Sequence, residues 1–220
     1  MRNHPPSLME IETARRNMVE QQLRGSSVLD TRVLTAFLNV PREDFIPPEH
    51  ARQAFADTTI PLPCGQHMMS PRNQGLVLQS LELQPGEHVL EVGTGSGFLT
   101  ACMRHLGSQV DSLEIHPELA ETAEKAWSTL EGPEVSMHAM NAWSFQTHIR
   151  YDAVVITASM PDYDPHFEQW LKPSGRLFVV VGRPPVMEAC LIRQYSHGKT
   201  SLKSLFELDL DPIVPPAASA

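Results

Sequence analysis

The stretch Val89-Leu90-Glu91-Val92-Gly93-Thr94-Gly95-Ser96-Gly97-Phe98 holds an acid near the end of an apolar run, then glycines at alternate positions. It reads as strand, tight turn and helix. Glycine reaches φ > 0 and lacks a Cβ, so ligand atoms can approach the backbone closely. The following helix, opening Phe98-Leu99-Thr100, points unpaired N–H groups and its positive dipole end at the turn. A small ligand with a negative or polar end is the expected occupant. The dinucleotide fingerprint G-x-G-x-x-G is not met, because the sixth position from Gly93 is Phe98, and the phosphate-loop Gly-Lys pair is absent. A second acid, Glu114, ends the run Val110–Ile115 about 20 residues past the turn, where a doubly wound sheet offers a carboxylate to ribose hydroxyls.

These residues need a scaffold that presents strand ends. Apolar runs at Glu87–Val92, Val110–Ile115, Val135–Met140, Ala153–Thr157 and Arg176–Val181 alternate with helical patterns. Pro71 opens one helix, with Leu76, Val77 and Leu81 inward. Pro117–Leu130 is a second, with Leu119, Ala120, Ala123 and Trp127 on one face; Pro165 starts a third carrying Phe167, Trp170 and Leu171. Lys172–Gly175 reads as a turn. Two last runs, Ala189–Tyr195 and Leu202–Leu210, flank Ser196-His197-Gly198-Lys199 as a hairpin. The fold class is therefore α/β: a doubly wound, mostly parallel seven-stranded sheet closed by an antiparallel C-terminal hairpin. Ligands in such sheets lie beyond the strand carboxyl ends at the switch point.

Ahead of the sheet, Ile11–Leu23 reads as a helix ended by Gly25. Asp30 caps another, with Val33, Leu34, Phe37 and Leu38 inward, and Pro47-Pro48 opens a third through Phe55. Thr58–Ser70 is irregular. The expected organisation is an N-terminal helical extension and active-site loop over residues 1–70, a ligand-binding domain over 71–212 and a disordered tail over 213–220, with Met1–Ser7 frayed. The 220 residues carry a net charge of −9, which argues against a general nucleic-acid binder. No apolar run approaches a membrane span, so a cytoplasmic protein is expected. Three separated cysteines suit reduced thiols, and the histidines show no metal-ligand spacing.

The Glu-x-Gly-x-Gly-x-Gly turn resembles the first motif of the class I S-adenosylmethionine (SAM) methyltransferases. Around it stand Arg42-Glu43-Asp44-Phe45-Ile46-Pro47, Ile60-Pro61-Leu62-Pro63, Gly65-Gln66, Tyr151–Ala158 and Leu171-Lys172-Pro173-Ser174-Gly175-Arg176. Over residues 13–212 this order resembles the protein-L-isoaspartate O-methyltransferase family. The resemblance implies the Rossmann-like SAM-methyltransferase fold and methyl transfer from SAM to the carboxylate of an isoaspartyl residue in a protein or peptide. It implies cofactor roles for Glu91, Gly93, Thr94, Gly95, Gly97 and Glu114, for Asn141 near the adenine, where the family usually has Asp, and for Thr157 beside the methyl donor. The family's active-site loop reads G-Q-T-I-S-x-P, whereas here it is Gly65-Gln66-His67-Met68-Met69-Ser70-Pro71. Direct matching puts His67 at the threonine and Met69 at the serine; sliding by one residue, with a gap, puts Ser70 at the serine.

A carboxylate acceptor is ionised near neutral pH and needs no general base. His67 would supply one for a hydroxyl acceptor. His67 and Ser70 are thus the candidate catalytic residues, each with a plainer alternative: a loop imidazole in water, and a helix cap. Two other functions stay open at this point: a SAM-dependent O-methyltransferase with a small-molecule or different protein acceptor, and a SAM-binding protein without turnover. The chain is expected to act as a monomer.

Overall fold

In a computed structural model, residues 7–195 and 199–216 are described. The expected frayed start up to residue 6, the hairpin turn at 196–198 and the tail residues 217–220 lie outside them. Ser7 opens α1 (Leu8–Asn17) through a reciprocal capping box with Glu10. The winding continues past Asn17 in a wider π-type turn, Met18–Leu23, which buries Met18, Val19 and Leu23. Gly25 does not end it. A 3₁₀ turn, Arg24–Ser26, follows, and the left-handed residue that closes it is Ser27, at φ 67°. Asp30 caps α2 (Thr31–Asn39) by accepting from the Arg32 N–H at 2.8 Å. Val33, Leu34 and Phe37 are buried as expected, but Leu38 falls on the outer side and is exposed. The third expected helix is only a 3₁₀ segment, Pro48–Gln53.

The stretch expected to be irregular contains a two-stranded antiparallel ribbon, β1 (Ile60–Pro61) and β2 (His67–Met68), that pairs Pro61 with His67. Between them Cys64 and Gly65 both take left-handed backbone, at φ 60° and 70°, which reverses the chain. Ser70 and Pro71 start α3 (Pro71–Leu81).

The main sheet comprises β3 (His88–Val92), β4 (Gln109–Glu114), β5 (Val135–Ala139), β6 (Tyr151–Met160), β7 (Leu171–Arg183), β8 (Val186–Gln194) and β9 (Thr200–Glu207). Their order is β5-β4-β3-β6-β7-β8-β9. Pairs from β5 to β7 are parallel; β7–β8 and β8–β9 are antiparallel. The chain winds outward from β3 to β5, then returns to place β6 on the other side of β3. That reversal puts the topological switch point at the carboxyl end of β3, where Gly93 stands.

One face of the sheet packs against the N-terminal helices, α3, α4 (Phe98–His105) and α5 (Pro117–Trp127). The other face is covered by short 3₁₀ segments, Ala142–Ser144 and Pro165–Trp170, whose aromatic side chains pack on Leu90, Val92, Val154 and Ile156. β6 is buried on both faces, hence its unbroken apolar run. The helix expected from Pro165 is only this 3₁₀ segment, and α5 stops short of Leu130. The expected turn Lys172–Gly175 lies inside β7, with Ser174 at φ 67° and a register shift against β6. Residues 213–216, expected in the tail, are tied down: the Ile213 N–H donates to the Ser159 carbonyl at 2.8 Å. Among the described residues no helix is long and apolar enough to cross a membrane.

Candidate active site

Gly93, Gly95 and Gly97 all take positive φ, at 95°, 54° and 81°. The bend is tied to the end of β4, where the Gly93 N–H donates to the Leu113 carbonyl at 2.8 Å. The Gly95 N–H donates to Glu114 Oε2 at 2.8 Å, and the His116 N–H donates to Oε1 at 3.0 Å. The carboxylate is thus held by two backbone donors and keeps lone pairs for a ligand. Thr157 Oγ1, at the matching position of β6, bridges the Val92 and Gly93 carbonyls.

Glu91 lies behind the bend. It is fully buried, and its Oε2 accepts from Thr100 of α4 and Ser112 of β4. Ser112 Oγ also contacts Thr94 Oγ1 at 2.6 Å, so Glu91 reaches the bend through a hydroxyl chain. Burial pushes its carboxyl up to about 7, against the opposing pull of the Ser112 and Thr100 hydrogen bonds.

Beside the bend lies a cavity of about 490 Å³. Its wall is drawn from the β1–β2 ribbon, the bend, the ends of β4, β5, β6 and β7, and the chain after β9. Of the residues singled out from sequence, His67, Gly93, Thr94, Gly95, Glu114, Asn141 and Thr157 line it together. Ser70, Glu91 and Gly97 do not. Ser70 is a helix cap whose Oγ accepts from the Asn73 N–H. Gly97 is turned to α5, where an added Cβ would meet Ala123 Cβ at 2.8 Å and Trp127 Cζ3 at 2.9 Å. His67 and Met69 both line the cavity, so on this loop a ring and a thioether face the space and the hydroxyl of Ser70 stands behind them.

Asn141 Oδ1 accepts from the Trp143 N–H at 3.0 Å and Nδ2 donates to the Pro215 carbonyl at 3.3 Å; Trp143 Nε1 donates to the Val214 carbonyl at 3.0 Å. The chain after β9 is thereby stitched across the cavity. It brings Asp209 and Asp211 to the wall, and the end of β7 brings Arg183. Sequence reasoning missed these three. The alternation Leu208-Asp209-Leu210-Asp211 was the available signal, an extended segment with one side anchored apolar.

The loop is held from below by Arg42, which is wholly buried. Its Nη2 donates to the Met69 carbonyl at 2.9 Å, Nε to the Ala54 carbonyl at 2.9 Å, and Nη1 to Gln74 Oε1. Its guanidinium lies 4.9 Å from the ring centroid of Phe98, the first residue of α4. Burial lowers its pKa to about 9, still charged at neutral pH.

Residues 13–214 match the family model described as protein-L-isoaspartate(D-aspartate) O-methyltransferase. Among curated relatives, protein-L-isoaspartate O-methyltransferase 1 of Anaeromyxobacter sp. is 37% identical, across 89% of this chain and 91% of its own length. The protein-L-isoaspartate O-methyltransferase of Koribacter versatilis is 29% identical across 95% and 94%. Among solved structures, one described as a protein-L-isoaspartate O-methyltransferase from Plasmodium falciparum, in complex with S-adenosyl-L-homocysteine, superposes with a TM-score of 0.78. That likeness covers 93% of this chain and 98% of that one at 19% identity, and it carries the fold alone. Its fold is the one built here around the β3 switch point, and the family match runs from α1 to the segment stitched across the cavity: the chain belongs to the protein-L-isoaspartate(D-aspartate) O-methyltransferase family.

Proposed function

We propose that this chain is a SAM-dependent methyltransferase that esterifies the carboxylate of isoaspartyl residues in damaged proteins or peptides. The observation that carries the reading is the pairing of the Gly95 N–H with Glu114 at the wall of a cavity at the switch point, within a family of that activity. The residues fit the cofactor. A cavity of about 490 Å³ suits a nucleoside-sized ligand. At Gly93 an added Cβ would come within 2.5 Å of Thr157 Oγ1, so the backbone there must stay bare. In this reading Glu114 takes the ribose hydroxyls, Asn141 borders the base, and Gly93 and Gly95 underlie the methionine part. Ser70 and Glu91 support the site from behind.

When bound, SAM supplies a methyl carbon made electrophilic by the sulfonium. The chain's task is then positional: to set the acceptor oxygen in line with that carbon and exclude water. An ionised carboxylate requires no proton removal. Met68 and Met69 give the acceptor side an adaptable apolar wall.

Incubation with labelled SAM and an isoaspartyl peptide is expected to give a base-labile methyl ester, absent with the matched aspartyl peptide. Ester formation no faster than that of a Gly95→Val variant would overturn the reading.

A further inference from the structure

His67 is the loop residue that departs most in chemistry from the family pattern, and the structure gives it a partner. Its Nδ1 lies 3.1 Å and 3.2 Å from the two carboxylate oxygens of Asp211. A carboxylate only accepts, so Nδ1 carries the hydrogen and donates. Both residues line the cavity beside Gly93 and Thr157. Both are fixed through their backbones. His67 is held by pairing with Pro61, and Asp211 by the donation of the Ser159 N–H to its carbonyl at 2.8 Å. The side chains remain partly exposed, and an exposed pair of this kind is weak.

The charges around this pair matter. Glu114, Asp209 and Asp211 give the wall three carboxylates, whereas among the described residues Arg183 is its lone guanidinium or ammonium. Arg183 points outward, 68% exposed, towards Asp162 at 3.4 Å. His116 adjoins Glu114, on the side given above to ribose. Beside the neutral side chains of Thr59 and Gln66, an acceptor carboxylate entering the cavity away from Glu114 therefore meets the His67 imidazole, and finds it engaged by a carboxylate already.

We propose that His67 binds the acceptor carboxylate and sets the preference for it, with Asp211 as an internal stand-in that the substrate displaces. This rests on the methyl-transfer reading above. The exchange swaps one carboxylate for another on the same N–H, so only the Asp211 side chain must turn away. It makes Asp211 a competitor of the substrate, acting through His67.

The test is steady-state kinetics on an isoaspartyl peptide, with S-adenosylhomocysteine binding measured by calorimetry on each variant. Asp211→Asn is expected to lower peptide KM roughly fivefold with kcat little changed. His67→Ala should raise KM about tenfold or more, with S-adenosylhomocysteine affinity within about twofold of wild type. His67→Asn, whose amide nitrogen can stand near the place of Nδ1, should recover part of the loss. In the His67→Ala background, Asp211→Asn should bring no further gain. Peptide KM unmoved by either single substitution would overturn the proposal, as would an equal gain from Asp211→Asn with and without His67, which would mark simple charge repulsion. Those results leave wild-type ester formation intact and so are distinct from failure of the methyl-transfer reading, which would show as no ester from the wild-type chain and would remove both.

Discussion

Gly93 and Gly97 share a left-handed backbone but answer to different neighbours. At Gly93 the obstacle is Thr157 Oγ1, whose bridge to the Val92 and Gly93 carbonyls shapes the cavity wall. At Gly97 the obstacle is the α5 face, Ala123 and Trp127. The two substitutions should therefore separate. Gly93→Ala is expected to weaken S-adenosylhomocysteine binding by about tenfold or more, because the bend moves where the ligand lies. Gly97→Ala is expected to cost about 2–3 kcal/mol of stability through overpacking and a strained φ, and to leave the affinity of the folded protein within about threefold. Calorimetry and urea melts on both variants check this. The alternate glycines and Glu114 were legible in the sequence because strand, bend and helix are local events. Their division into ligand-side and packing-side members was not, since that depends on α5, which follows in the chain and folds back.

Among the elements, the link between the N-terminal extension and the active-site loop runs through Arg42. It joins the segment after α2 to the Met69 carbonyl, to Gln74 of α3 and to the first ring of α4. Among the described residues no carboxylate pairs with it; its hydrogen-bond acceptors are carbonyl oxygens. Arg42→Met keeps much of the stem but leaves those oxygens without a donor. The expected loss is about 3 kcal/mol in urea unfolding, with a raised peptide KM as the loop loosens. The sequence offered the Arg42–Pro47 stretch as a family signature without its reason, which lies in partners 12 to 32 residues away. The same limit explains Leu38. Its apolar character fits the α2 pattern, but α2 packs over a narrow stripe that leaves it outside.

Across the whole molecule, stability should fall towards both acid and alkaline pH, for opposite reasons. For Asp111, burial works to raise the carboxyl, but donors from His88 and Tyr151 hold it below the ordinary value of 3.8. Its contribution is present above that value and is lost as pH falls through the folded pKa. Glu91 is the reverse. Its folded pKa of about 7 exceeds the ordinary 4.5, so its contribution is full below 4.5 and is lost as pH rises through 7. Glu91→Gln keeps an acceptor for Thr100 and Ser112 without the charge. The variant should match wild type near pH 4.5 and exceed it at pH 8, by on the order of 3 kcal/mol, in thermal or urea melts. The seven strands themselves were readable from alternating runs, because each carries its own pattern, whereas their spatial order came only with the structure. The stitching of residues 209–215 across the cavity was not, because those residues resemble a polar, proline-bearing tail until Asn141 and Trp143 bind them. That wall runs from Thr59 to Val214 in one chain. During synthesis, then, a ribosome-bound polypeptide has no finished binding chamber until Val214 has left the exit tunnel. A cofactor can meet the complete wall only after that segment has emerged.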